Sequence, residues 1–434
     1  MKSKSTAIFV LVTVIAVLAL VVAGCGGTTS TTAAADVTAT TAADVTATTA
    51  ASGGGDIPIG FLTSYTGELG AYGVPWYSAG KMAVDDINAA GGVLGRKIAL
   101  STEDDRTSVE EGIKAARKLI GANGVIAIAG PTSDIVVAIY PICKDNKVFL
   151  SSNAAGTARL DAGHGEWFYR TVPSDTFEGE VAARIMIDDG YKEIAVMYEN
   201  DEGRKSIASA VTKEFLALGG KIVAEVPFTP RQPTYSAELK KIAGAKPQMV
   251  WLGAGQESGS VLLKNAKQSG YDWKWMVSSD LNVPEMFTLV GNDVMEGIIT
   301  ETASAETDNQ YYIDWAARFQ ELFNQEPAGA YQSNSYDQMI IMALAMQKAG
   351  VASGEAISQN YHKVTDANPN ATIVHTYADG LAALTAGKEI KYEGVSGPCT
   401  FNASGNTVGS FMGYTAQSGK WVAGKFWPAS TFLQ

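Results

Sequence analysis

The residues that most often carry chemistry are sparse in this chain. It has three histidines, His164, His362 and His375, and none has a Cys or acidic neighbour at metal-ligand spacing. It contains no G-x-S-x-G, no H-E-x-x-H and no phosphate-loop G-K-[ST]. Gly253, Gly255 and Gly259 give G-x-G-x-x-x-G, one residue off the dinucleotide fingerprint. Glu103-Asp104-Asp105 follows an apolar stretch and is followed by Arg106, which reads as an acidic turn rather than a metal site. Cys143 and Cys399 read as free buried thiols, with a disulfide as the alternative in an exported chain. No catalytic residue, metal or cofactor is therefore expected, and an enzyme is not the reading the motifs favour.

The chemistry on offer is that of binding. Gly130-Pro131-Thr132-Ser133 leads into a helix starting near Asp134, and Ser151-Ser152-Asn153-Ala154-Ala155-Gly156-Thr157 is a second short polar loop. Exposed N–H groups and hydroxyls at such places suit a carboxylate. Tyr65, Tyr72 and Tyr331 can pack on a ligand, and the carboxylates of Glu202 and Asp280 can meet an ammonium group. Helix capping alone is the competing role for Ser133.

These loops need a scaffold, and the hydrophobic pattern supplies one. From Asp56 apolar runs of strand length alternate with amphipathic stretches. Strands are expected at 57–62, 96–103, 125–129 and 148–151, with helices at 75–90, 109–122 and 135–146 between them. The pattern restarts after 168–173, with helices at 176–189, 205–218, 236–243 and 261–268 and strands at 194–198, 221–226, 249–252 and 275–278. Two helices follow, at 310–323 and 335–349, and the end from 391 is β-like. This is α/β: two doubly wound parallel-sheet lobes. Open α/β sheets bind ligands beyond the carboxyl ends of their strands. The segments to read are therefore 63–72, 130–134, 151–157, 199–203, 253–257 and 278–282.

The 434 residues and net charge of −12 bound the rest. The acidic balance argues against a nucleic-acid partner, whose phosphates need Lys and Arg. Lys2 and Lys4 precede an apolar run over 7–23, as in a secretory signal. Val22-Ala23-Gly24-Cys25 resembles a bacterial lipobox, which implies cleavage after residue 24 and lipid on Cys25. Loss of Lys2 and Lys4 would take the charge from −12 to −14. Residues 26–55 are almost entirely Thr, Ala, Gly and Ser and contain ADVTATTA twice, a composition that cannot bury a core. A flexible coil of that length spans about 30 Å on average.

The chain resembles the type I periplasmic binding proteins of branched-chain amino acid ABC transporters, the Leu/Ile/Val-binding group. The resemblance rests on Ile59-Gly60, Thr66-Gly67 with Tyr72-Gly73, and above all the stretch from Ala79-Gly80 through Asp85-Asp86-Ile87-Asn88 to Leu94-Gly95-Arg96. Gly130-Pro131-Thr132-Ser133, Phe168-Tyr169-Arg170-Thr171, Leu262 to Ala266, Glu296-Gly297 and Tyr336-Asp337 also fit, so it runs from Ile57 to the C-terminus. It implies two lobes joined by three crossovers and closing on a ligand. It also implies Ser133 or Asp134, with Ala154 and Gly156 or Thr157, at an α-carboxylate. Tyr72 and Tyr331 would lie against the ligand and Asp280 on its ammonium; Asn153 and Glu202 complete the candidate set. The chain departs from the family with Glu202-Gly203 where a Tyr-Gly pair is usual and with small residues at Ala254-Gly255, so the cleft should be roomier and more acidic on the second lobe.

The expected organisation is a signal peptide over 1–24, lipidated Cys25 and tether over 25–55, a first lobe of 56–172 with 304–390, and a second of 173–303 with 391–434. The expected function is that of an extracytoplasmic, membrane-anchored solute-binding lipoprotein, a monomer that captures an amino acid of branched-chain type, or a related small amide or carboxylate, between two closing lobes and delivers it to an ABC permease. The alternative is a sensing domain acting through a partner receptor chain.

Overall fold

The computed structural model describes residues 54–432, apart from 326, 328–330 and 367. The expected signal, Cys25 and nearly all of the tether lie outside the described residues.

Two sheets organise these residues. The first runs, edge to edge, 406–407, Phe168–Pro173, Phe149–Ser152, Ala127–Ala129, Ile57–Thr63 and Ile98–Asp104. Its strands are parallel, with Ile59 facing both Leu100 and Ala127. Ile57–Thr63 is apolar on both faces because both are covered. Ile59 and Phe61 join the core under helices Gly70–Ala89 and Gln332–Ala349. Leu62 joins Leu119, Ile135 and Ile139 from helices Val109–Gly121 and Ser133–Asp145 on the other side. Such double coverage is why central parallel strands read as continuous apolar runs.

The second sheet has the order Lys420–Trp427, Ser410–Gln417, Ile299–Ser304, Lys274–Val277, Met249–Gly253, Glu193–Glu199, Lys221–Phe228. Its centre is parallel, and the last two strands add an antiparallel hairpin beside Ile299–Ser304. Trp251 is fully buried against Ile207, Val211 and Phe215 of helix Glu202–Ala217. The chain crosses between the two sheets three times, after Pro173, after Ser304 and between Thr407 and Ser410.

The last passage from the first sheet to the second lies between Thr407 and Ser410, beyond the expected 390/391 boundary. Residues 391–407 stay with the first lobe, because a buried carboxylate there collects them. Asp337, on helix Gln332–Ala349, accepts hydrogen bonds from Tyr392 Oη (2.7 Å), Val395 N (3.1 Å), Ser396 N (2.8 Å) and Ser396 Oγ (2.5 Å). The segment then reaches the first sheet's edge, where Asn406 and Thr407 pair with Phe168–Pro173. Asp337→Ala should leave these buried donors without an acceptor, costing about 3 kcal/mol or more in urea unfolding at about 1–3 kcal/mol per stranded group. A loss below about 1 kcal/mol would show that water replaces the carboxylate.

Cys143 and Cys399 are both free and buried, so they do not pair. Glu103, Asp104 and Asp105 are structural. Asp105 accepts from Ser64 Oγ (2.6 Å), Asp104 from Thr66 Oγ1 (2.8 Å), and Glu103 pairs with Lys118 (2.6 Å).

Candidate functional site

A cavity of ≈220 Å³ lies between the lobes, lined from both. That is below the range of about 300–1,000 Å³ for drug-sized sites, so it suits a small solute. It sits beyond the carboxyl ends of both sheets, where open α/β folds bind their ligands.

The first lobe contributes Trp76, Ser133, Asp134 and Ala154, and Tyr331 joins them. Tyr72 stacks on Trp76 (5.0 Å between centroids), and Trp76 lies 6.3 Å from the Tyr331 ring. Helix Gly70–Ala89 starts five residues earlier than Pro75 suggests. Tyr72 therefore stands in its first turn, not in a loop, behind the cavity-lining Trp76 on which it stacks. Tyr331 adopts a left-handed conformation (φ 78°) ahead of helix Gln332–Ala349. Asn153 Nδ2 donates to its carbonyl at 3.3 Å, so Asn153 positions this aromatic rather than touching the cavity.

The second lobe contributes charge. Asp175 and Glu178 come from the first turn of helix Asp175–Asp188, Glu199 from a strand end, and Asp201 and Arg204 from the start of helix Glu202–Ala217. Arg204 is buried and forms ion pairs with Asp280 (2.8 Å), Asp201 (3.2 Å) and Glu199 (3.9 Å). Asp280 lines the cavity, and its carboxylate faces a guanidinium inside the protein. Burial pushes the carboxyl of Asp175 up to about 7 and those of Glu178 and Glu199 up to about 8. For Glu178 the neighbouring Asp175 adds to the rise.

The lobes are closed on each other, and two first-lobe carboxylates fasten them. Asp134 Oδ1 accepts from Glu202 N (2.9 Å) and its Oδ2 from Gly203 N (3.3 Å), at the N-terminus of helix Glu202–Ala217. Glu68 does the same at helix Gln256–Gln268, accepting from Ser258 N (3.0 Å) and Ser258 Oγ (2.8 Å). Helix N-termini present unpaired N–H groups and partial positive charge, so both latches are favourable. Gly255, read above as part of a near-miss nucleotide motif, makes the second possible: a Cβ there would lie 2.3 Å from Glu68 Cβ. Tyr72 Oη adds a bond to Ser279 O (2.7 Å).

Of the ten candidate ligand residues, five line the cavity: Ser133, Asp134, Ala154, Asp280 and Tyr331. The other five surround it. Thr157 Oγ1 donates to Glu202 Oε1 (2.9 Å) across the lobes, outside the cavity wall. Thr157 N donates to Ser133 Oγ (3.2 Å), and Ala154 N to Ser152 Oγ (3.0 Å), so these expected carboxylate donors are already engaged. Gly156 leaves its space to Asp175, whose Oδ1 would lie 1.9 Å from a Cβ at 156. Tyr65 sits outside, bonded to Thr102. Sequence reasoning missed Glu68, Trp76, Asp175, Glu178 and Arg204. The only available signal was their place within a few residues of strand ends or helix starts.

Asp134→Ala should loosen one latch. Solute affinity should fall about 5- to 30-fold, as for loss of an N-cap, and small-angle scattering should show a larger radius at a fixed subsaturating solute concentration. Unchanged affinity and radius would remove Asp134 from the closing machinery.

Two α/β lobes, three crossovers and a closed interlobe cavity define a two-lobed solute-binding architecture. A family model described as periplasmic binding protein matches residues 56–418, and the chain belongs to that family. The Leu/Ile/Val-binding protein BraC3 of Rhizobium johnstonii is 28% identical over 375 residues, covering 85% of this chain and 94% of that one. The crystal structure of the leucine-binding protein LivK from Thermotoga maritima superposes with a TM-score of 0.74 at 20% identity, covering 86% of this chain and 99% of that one. LivJ of Streptococcus pneumoniae, solved in complex with isoleucine, gives 0.70 at 21% identity over 85% and 100% of the two chains. These likenesses establish the type I fold.

Proposed function

We propose that this protein is the solute-binding component of an ABC importer, capturing a small amine-bearing solute of amino-acid size between two closing lobes and delivering it to a membrane permease. The observation that carries this is the interlobe cavity, with Asp134, Glu68 and Tyr72 bonded across it from first lobe to second. A solute that adds contacts to both walls favours the closed form, and closure is the signal a permease reads. The protein performs no chemistry on the solute. It acts as a monomer outside the cytoplasm, held to the membrane by lipid on Cys25 with residues 26–55 as spacer. The names of the relatives, which bind leucine, isoleucine and valine, support the amino-acid scale of the solute.

The test is calorimetry and thermal shift of the folded module against amino acids, amines and small carboxylates. One-to-one binding with a raised Tm is expected for at least one amine-bearing compound. A panel without any binder would overturn the reading.

A further inference from the structure

The wall of this cavity is charged in a lopsided way. It carries seven carboxylates against two guanidiniums. One of those, Arg231, is 43% exposed at the rim and engaged with Glu257 (3.3 Å) and Glu68 (3.6 Å). The other, Arg204, is shared among three carboxylates.

The excess of acid is not absorbed by the protein's own donors. Asp175 is 4% exposed and its Oδ2 has no hydrogen-bond partner. Glu199 is 1% exposed, and its ion pair with Arg204 is long, at 3.9 Å. A buried carboxylate oxygen without a donor costs free energy of desolvation that a bound cation recovers. The donors suited to a solute carboxylate are scarce by comparison. The N–H groups of Ala154 and Thr157 are occupied, and Asp134 fills the N-terminus of helix Glu202–Ala217. Nε and Nη2 of Arg204 have no hydrogen-bond partner, and Nε is engaged by Asp280 as an ion pair at 2.8 Å, so Nη2 is the Arg204 donor left for a carboxylate. The aromatic rings of Trp76 and Tyr331 line the same cavity. Among the described residues no group of acidic, His or Cys side chains converges as a metal site, so the charge is spread as for an extended organic cation.

Resting on the solute-binding reading above, we infer that the cavity selects a small organic solute of net positive charge, an amino acid with a basic side chain or an aliphatic diamine, over the uncharged-side-chain amino acids named for its relatives. The solute's ammonium groups lie toward Asp175, Glu178 and Glu199, and any carboxylate lies toward Arg204.

The experiment is calorimetry on the wild-type module with L-lysine, L-ornithine and L-arginine, with putrescine and cadaverine, and with L-leucine and L-isoleucine, in buffers of differing ionisation enthalpy. At least one cationic compound should bind one-to-one and about 10- to 100-fold more tightly than leucine, as expected for charged hydrogen bonds. Its binding should release protons, since ammonium groups ionise carboxylates that burial keeps protonated. Preference for the basic amino acids assigns the Arg204 position to a carboxylate, and preference for diamines assigns a solute without one. Asp175→Asn and Glu199→Gln should each weaken the cation about 10-fold or more, and weaken it more than they weaken any leucine binding. Equal or tighter binding of leucine or isoleucine would overturn this inference and leave the solute-binding reading intact. A thermal shift produced by calcium alone, with the organic cations silent, would also overturn it. Silence of every amino acid and amine would overturn both.

Discussion

Replacing Arg204 by methionine should destabilise the module by about 3–5 kcal/mol at a pH near 8, the cost of leaving buried charge without its counter-ion. The side chain is 5% exposed and faces Asp280, Asp201 and Glu199 at 2.8, 3.2 and 3.9 Å. Without it three largely buried carboxylates repel one another with no counter-ion between them. Methionine keeps most of the volume, so packing contributes little to the loss. The same substitution should cost far less near pH 5, because carboxyls displaced upward by burial take up protons and need no partner. Urea unfolding at the two pH values measures both. An equal loss at both would assign the role of Arg204 to packing, and a loss under about 1 kcal/mol at pH 8 would place the carboxylates in contact with solvent.

The second large effect is the pH dependence of the unliganded protein. Asp175 faces Arg170, Asp280 and Asp161 as well as Ser206. Glu178 faces Asp175, Asp280 and Ser279. Glu199 faces Arg204, Glu68 and Asp201, and Glu301, on the strand beneath, faces Glu178 and Asp280. Burial raises all four carboxyls, the first three to about 7, 8 and 8, and Glu301 well above its ordinary value. Their folded values lie above the unfolded ones near 4, so the folded state holds these protons more tightly. The stability they contribute is present in full below about pH 4 and is lost as the pH rises through about 7 to 8. Stability of the solute-free protein should therefore fall by at least about 2 kcal/mol between about pH 5.5 and 8.5, each displaced unit being worth about 1.4 kcal/mol. A saturating cationic solute should flatten that slope. A flat curve for the solute-free protein would contradict this account of the cavity's charge.

Much of the fold was legible because it depends on local pattern. Ile57–Thr63 and Ala127–Ala129 sit under helices on both faces, and continuous apolar runs record that burial directly. Helix Gln310–Phe323 has the bounds its spacing gives. The start of Gly70–Ala89 was not legible, since Gly70 and Gly73 read as loop and Pro75 as the first helical turn. Tertiary contacts, such as the stack of Tyr72 on Trp76, override that local preference. The place of 391–407 was hidden for a related reason: Asp337 gathers it from more than fifty residues away.

The site divides in the same way. Loops after strands were found as a class, and Ser133, Asp134, Ala154, Asp280 and Tyr331 line the cavity. Asp175 and Glu178 were missed because acid in a helix's first turn reads as ordinary dipole compensation, and Arg204 because a single base near a helix start reads as surface charge. Only the meeting of two lobes gives those residues a cavity to face. Asp134 shows the reverse: an acid that looks unwelcome beside a solute carboxylate spends its charge on the opposite lobe's helix.

Native mass spectrometry of the folded module, equilibrated with the amine and amino-acid panel, tests the central claim most directly. The account predicts a single one-to-one adduct with a solute of net positive charge, weakened by Asp175→Asn and accompanied by a smaller collision cross-section as the lobes close. No adduct with any member of the panel, or an adduct that leaves the cross-section unchanged and is indifferent to Asp175, would contradict it.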